Sequence, residues 1–278
     1  MHVHVPTIYL IVGFMYMLLP ATVWLVLSGQ RSRSAVYWCI GGELVGLGLV
    51  LFGLRQILPG WASYSLGNYA LWAGNLLLIY AVAQMLSYKL NPRYFIGAWV
   101  GFALGFEFFR LVLQSPELRF LWTTLVVITM VTVLAYLSAQ VSRIEGVRSA
   151  RWLSLAYVLG LINLWGRLIR VMFFDATPEA IGSEIDSALI VLAGLFTAVF
   201  GNFAFVAVFL ERASHRVLQA SQEKARKEES DRLQGQIAQL ERQRTLGAMS
   251  ASFAHELSQP LTAILMDAQN VKVALQEG

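Results

Sequence analysis

The sequence predicts an all-α fold: a polytopic bundle of seven transmembrane helices, then a long signalling helix, then the first helix of a dimerisation domain. Three observations predict it. Of 278 residues, 57% are hydrophobic and only 14% charged, where soluble domains carry roughly 25% charge. The apolar residues fall into seven runs of the roughly 20-residue length that crosses a bilayer as a helix. The charge is also uneven, with 20 charged side chains in residues 1–210 and 18 in residues 211–278. This composition excludes a disordered chain and a nucleic-acid-binding domain, and a single cysteine, Cys39, excludes a disulfide scaffold.

The runs are 6–27, 35–57, 66–87, 94–113, 120–141, 152–174 and 187–210. No basic stretch precedes the first, and it is too long for a signal-peptide core, so it is expected to stay as a membrane helix. The first, third and fifth loops carry Arg31 and Arg33, Lys89 and Arg93, and Arg143, Arg148 and Arg151. The second loop has no charge, the fourth has Glu117 and Arg119, and the sixth has Asp175, Glu179, Glu184 and Asp186. The positive-inside rule then places the odd loops and the C-terminus in the cytoplasm and the N-terminus outside.

Ionisable groups within the runs are costly unless paired or facing a cavity. Glu107 and Arg167 fall at similar depth in the outer half, each about 20 Å from the cytoplasmic edge. Arg110 and Arg170 stand three residues later on the same faces. One reading is structural: Glu107 pairs with Arg110 or Arg167, and Arg55 and Arg170 snorkel outward. The other is a ligand site, an outward-facing pocket built from Arg55, Glu107, Arg110, Arg167 and Arg170 that binds a small anion. An ion or proton path is a third. Glu43, Asn75 and Asn163 lie nearer the midplane.

Glycines 41, 42, 46 and 48, and 97, 101 and 105, have the small-xxx-small spacing of close helix contacts. Trp61, Tyr64, Trp99, Trp122, Trp152 and Trp165 suit interface belts and helix packing. Cys39 reads as a small buried side chain. His2 and His4 lack a third ligand, so no metal site is expected.

From Glu211 onward the composition is that of a solvated helix running straight out of the seventh membrane segment. Residues 1–210 form the sensor, 211–244 a coiled-coil linker and 245–278 the dimerisation helix. Leu233, Ile237 and Leu240 make a coiled-coil seam, which resumes at Leu246, Met249, Phe253 and Leu257. The six-residue step from Leu240 to Leu246 shifts the phase, and 219–232 is poorly apolar. Two copies side by side would form a parallel homodimer. His255 points about 200° away from Phe253 and Leu257, off the seam, with the Glu256 carboxylate next to it. Pro260 is expected to bend the helix just beyond.

The run Leu246-Gly247-Ala248-Met249, with Phe253-Ala254-His255-Glu256-Leu257-Ser258-Gln259-Pro260-Leu261-Thr262-Ala263-Ile264 after it, closely resembles the H-box of bacterial sensor histidine kinases of two-component systems. It is similar to the subclass reading His-Glu-Leu-x-Gln-Pro-Leu, and the resemblance covers residues 246–278. It implies that His255 accepts a phosphoryl group from ATP on a ring nitrogen and passes it to an Asp of a response regulator. Glu256 would be the general base, and Gln259 holds the position linked to phosphatase activity. ATP and Mg2+ would act through a catalytic domain absent from these residues, which read as a truncated kinase with no cofactor of its own. The resemblance also implies a homodimer in the bacterial inner membrane, among its lipids, with the kinase side cytoplasmic. The rival is a transporter or channel, or a ligand-binding receptor with a dimerising tail and no kinase activity. The matched broken helices of transporters are not seen.

Overall fold

A bilayer offers the backbone no water, so each apolar run must close its own hydrogen bonds as a helix. The computed structural model describes residues 5–27, 29, 32–88, 90–173 and 184–274, with side chains for all of these except 5, 184–191, 251 and 267–274. Among the described residues it is all-helical, without a strand. Its α-helices are α1 (Val5–Val26), α2 (Arg33–Gly53), α3 (Gly67–Met85), α4 (Pro92–Glu107), α5 (Pro116–Glu145), α6 (Ser149–Phe173) and α7 (Glu184–Ala274). They give, among the described residues, seven helical spans long and apolar enough to cross a membrane, the third and fourth being Trp61–Met85 and Pro92–Val112 with the adjoining π-helical turns included. Each contains one of the seven apolar runs or most of it. A π-helical segment, Trp61–Leu66, leads into α3, and another, Phe108–Val112, prolongs α4. His2, His4, Arg31, Lys89, Asp175 and Glu179 lie outside the described residues, as do the side chains of Glu184 and Asp186.

Helix ends reflect local chemistry. Ser32 accepts from the Ala35 N–H at 3.1 Å and starts α2. Asn91 and Ser115 cap α4 and α5, each with proline at the first helical position, where the missing N–H costs nothing. Gly146 ends α5 at φ 70°, a left-handed turn that glycine enters without a Cβ clash.

The chain divides into two compact units, Met1–Ala213 and Ser214–Gly278, and α7 contributes to both. In the first unit α2 packs between α1 and α3, α3 meets α5, and α5 meets α6. Lipid tails are as apolar as leucine, so these contacts hold by close van der Waals packing rather than by water exclusion. Glycine supplies it at α2. A Cβ on Gly46 would stand 2.7 Å from the Gly13 carbonyl oxygen of α1, and one on Gly74 of α3 would stand 2.6 Å from the Gly41 oxygen. The second glycine series behaves differently. Gly97 and Gly101 meet nothing within 4 Å, because Phe106 alone is buried on α4, and only Gly105 touches a neighbour, Trp122.

α7 enters the core with Ala198, Phe205 and Val208 fully buried. Trp38 of α2 stacks on Phe205 at a centroid distance of 3.9 Å and donates its indole N–H to Asn202 at 2.9 Å. Trp99 and Trp122 likewise bridge helices, donating to the carbonyls of Tyr69 and Phe102. Trp61, Trp152 and Trp165 are exposed, as belt residues would be. Cys39 is buried, its thiol on the Pro20 carbonyl.

Gly74→Leu should therefore destabilise the bundle by about 1–3 kcal/mol through overpacking, read as a lower Tm in detergent. Gly97→Leu should leave Tm unchanged.

Candidate functional site

Turns of different helices bring spaced side chains to one interior space. On α5, Arg119, Thr123, Val127 and Val131 recur every four residues and share a face. Asn68, Leu71, Asn75 and Leu78 share a face of α3 at three- and four-residue steps, as do Tyr157, Gly160, Asn163 and Arg167 on α6. With residues of α1, α2 and α7 these stripes enclose a cavity of about 360 Å³, within the range of small-molecule sites. From Arg119 to Val131 the wall runs about 18 Å at 1.5 Å per residue.

The two ends differ in chemistry. Arg55, Arg119 and Arg167 line one end, beside Tyr9 and Tyr64. The Arg119 guanidinium lies over the Tyr64 ring, 5.1 Å from its centroid, and Arg167 over Phe120 at 4.9 Å; such stacking holds a cation flat against the wall. Val45, Leu78 and Val131 line the other end. Asn68 and Asn75 stand between, each donating its amide to the carbonyl four residues earlier (2.7 and 2.9 Å), so that their oxygens are left as acceptors. No acidic side chain lines the cavity among the described residues.

The five membrane residues singled out in the sequence thus separate. Arg55 and Arg167 are on the cavity wall. Glu107 and Arg110 are off it and joined to each other, with Arg110 Nε 2.7 Å from Glu107 Oε2 and the Tyr69 hydroxyl donating to Oε1 at 2.6 Å. Arg170 and Glu43 do not line the cavity either. The sequence assigns Arg119 only to the fourth loop, and the four-residue stripe that begins with it is the signal that points to the wall.

At residues 211 and 212 a second constellation forms that sequence reasoning misses. The Glu211 carboxylate accepts the N–H groups of Arg148 and Ser149 at 2.9 Å each, capping the start of α6. Arg212 grips Glu145, the last residue of α5, at 2.6 and 2.7 Å, and donates to the Met85 carbonyl at the end of α3 at 3.2 Å. A carboxylate thus sits at a positive helix start, and a guanidinium at two negative helix ends.

In the second unit, His255 and Glu256 are exposed. The His255 Nε2 lies 3.3 Å from the Gln259 amide nitrogen, one turn on, and the Ser258 hydroxyl donates to the His255 carbonyl at 3.0 Å. The helix continues through Pro260, whose missing N–H leaves the Glu256 carbonyl without its usual partner four residues on. Leu233, Ile237, Leu240, Leu246, Met249 and Phe253 are all about half exposed. Among the described residues no group of three or more His, Cys, Asp or Glu is placed to hold a metal ion.

Comparison with protein families, with curated proteins and with solved structures yields no match.

The Arg212 clasp should be energetically coupled. In a double-mutant cycle, Arg212→Ala and Glu145→Ala should be non-additive by about 1 kcal/mol in unfolding free energy.

Proposed function

We propose that this chain is the sensor and phospho-acceptor part of a membrane histidine kinase of a two-component system. The observation that carries the reading is the H-box-like run 246–264, which lies on the same helix, α7, that starts in the membrane unit. Supporting it, the exposed leucines, isoleucine, methionine and phenylalanine of 233–257 form a stripe that a second copy would cover as a parallel coiled coil. His255 lies off that stripe and remains accessible in such a homodimer.

In this reading the odd loops and the second unit face the cytoplasm of a bacterial cell, in line with the positive-inside rule. A ring nitrogen of His255 attacks the γ-phosphorus of ATP, the bond to the departing ADP oxygen breaks, and the ring proton passes to Glu256. Gln259, against the ring, holds the imidazole in place. ATP and Mg2+ belong to a catalytic domain acting on this helix, as the H-box resemblance implies. The phosphoryl group then moves to an Asp of the response regulator. The stimulus is an anion received in the membrane unit. Its binding shifts the packing of α7, and the weakly apolar stretch 219–232 and the phase step at 240–246 pass on that shift.

Incubated with radiolabelled ATP and a histidine kinase catalytic domain supplied in trans, the chain should take up acid-labile label, and His255→Gln should take up none. Label retained in that variant would remove His255 from the mechanism. Residue insertions within 219–232 should switch output with helical phase. One added residue turns the C-terminal part of the helix by about 100° and should change signalling, whereas seven bring it back to within about 20° and should restore it. A series without that phase dependence would sink the transmission mechanism.

A further inference from the structure

We propose that the cavity of the membrane unit binds an amphiphile: one anionic headgroup, a carboxylate or phosphate, on an apolar body. This deepens the sensor reading and rests on it only for what binding triggers. The binding itself is a property of the cavity.

Charge sets the head. Arg55 just past the end of α2, Arg119 in the first turn of α5 and Arg167 of α6 all line the cavity, and no described acidic side chain does. The Arg55 side chain makes no ion pair or hydrogen bond among the described residues, and Arg119 is held by the Tyr64 ring rather than by a carboxylate. Both guanidinium groups are half-buried on the wall, and an anionic head supplies the counter-charge that the described lining lacks.

Shape and polarity set the body. A small inorganic anion would fill only the arginine end and leave the wall down to Leu78 and Val131 without contacts, forfeiting dispersion energy along about 18 Å. A neutral apolar molecule would fill that length and leave Arg55 and Arg119 without a counter-charge. An amphiphile satisfies both ends.

The test uses the chain in nanodiscs of phosphatidylcholine, titrated calorimetrically with dodecanoate, dodecanol or inorganic phosphate, with empty discs subtracted. Dodecanoate should bind saturably, one per chain, and at least tenfold more tightly than dodecanol or phosphate. Arg55→Gln combined with Arg119→Gln should weaken dodecanoate at least tenfold. So should Gly194→Leu, which fills the cavity from α7 where a Cβ meets only Val12 at 3.5 Å. Both variants should keep the wild-type Tm, which separates lost binding from lost folding. Discs containing phosphatidylglycerol identify the source: competition with dodecanoate assigns the head to a lipid, and its absence assigns it to a free amphiphile. Equal affinity for dodecanol, tight phosphate binding unaffected by Gly194→Leu, or unchanged dodecanoate binding in both variants would overturn the proposal. None of these measurements involves phosphorylation, so failure here leaves the His255 reading standing, and loss of that reading leaves the cavity's ligand standing.

Discussion

Glu211 and Arg212, adjacent on the seventh helix, together finish three other helices. The carboxylate takes the free N–H groups at the start of α6, and the guanidinium takes Glu145 at the end of α5 and a free carbonyl at the end of α3. Every helix end leaves such groups unsatisfied, and here the helix that continues into the second unit supplies the partners. Turning α7 by even one residue, about 100°, would withdraw both side chains, leaving the start of α6 and the end of α3 uncapped and the Glu145 carboxylate of α5 without its ion pair. The arrangement of α3, α5 and α6 at this end is therefore tied to the rotational setting of α7.

The same helix forms part of the cavity. Gly194 and Thr197 line it, and Glu211 lies 17 residues beyond Gly194 on the same helix, about 25 Å along the axis. Between these levels Trp38 and Phe205 stack and Asn202 receives the indole N–H, fixing α7 against α2. Cavity wall, aromatic anchor and clasp are thus three successive holds on one rigid rod. A change in what fills the cavity acts directly on the rod's first hold, and the other two decide how it is divided between tilt and rotation.

The seven apolar runs are legible in the sequence because the bilayer imposes length and composition on each helix separately. The pairing of Glu107 with Arg110 is legible as one of two alternatives, since three residues' spacing on one helix is a local fact while Arg167 lies on another helix. Partners on other helices are not legible. Tyr69 reaches Glu107 from α3, and Glu145 reaches Arg212 across 67 positions of chain. The glycines show the limit well: two series have similar spacing, and the one on α2 is wedged between two helices while Gly97 and Gly101 of α4 touch none. Spacing says that a close approach is available, and only the packing says whether a neighbour uses it. Arg119 escapes a sequence reading because its loop position outweighs the stripe it begins, Arg119-Thr123-Val127-Val131. At the other end of the chain, the run around His255 carries its own signature in residue order, and no tertiary contact is needed to read it.

Proline at 260 has a mechanical consequence. An α-helix resists bending because each backbone rung shares the load, and here the rung from the Glu256 carbonyl has no N–H to meet. The segment just beyond His255 is consequently softer than a helix with every rung made. A bend at that joint would re-aim the imidazole and its neighbouring carboxylate relative to the turns that follow.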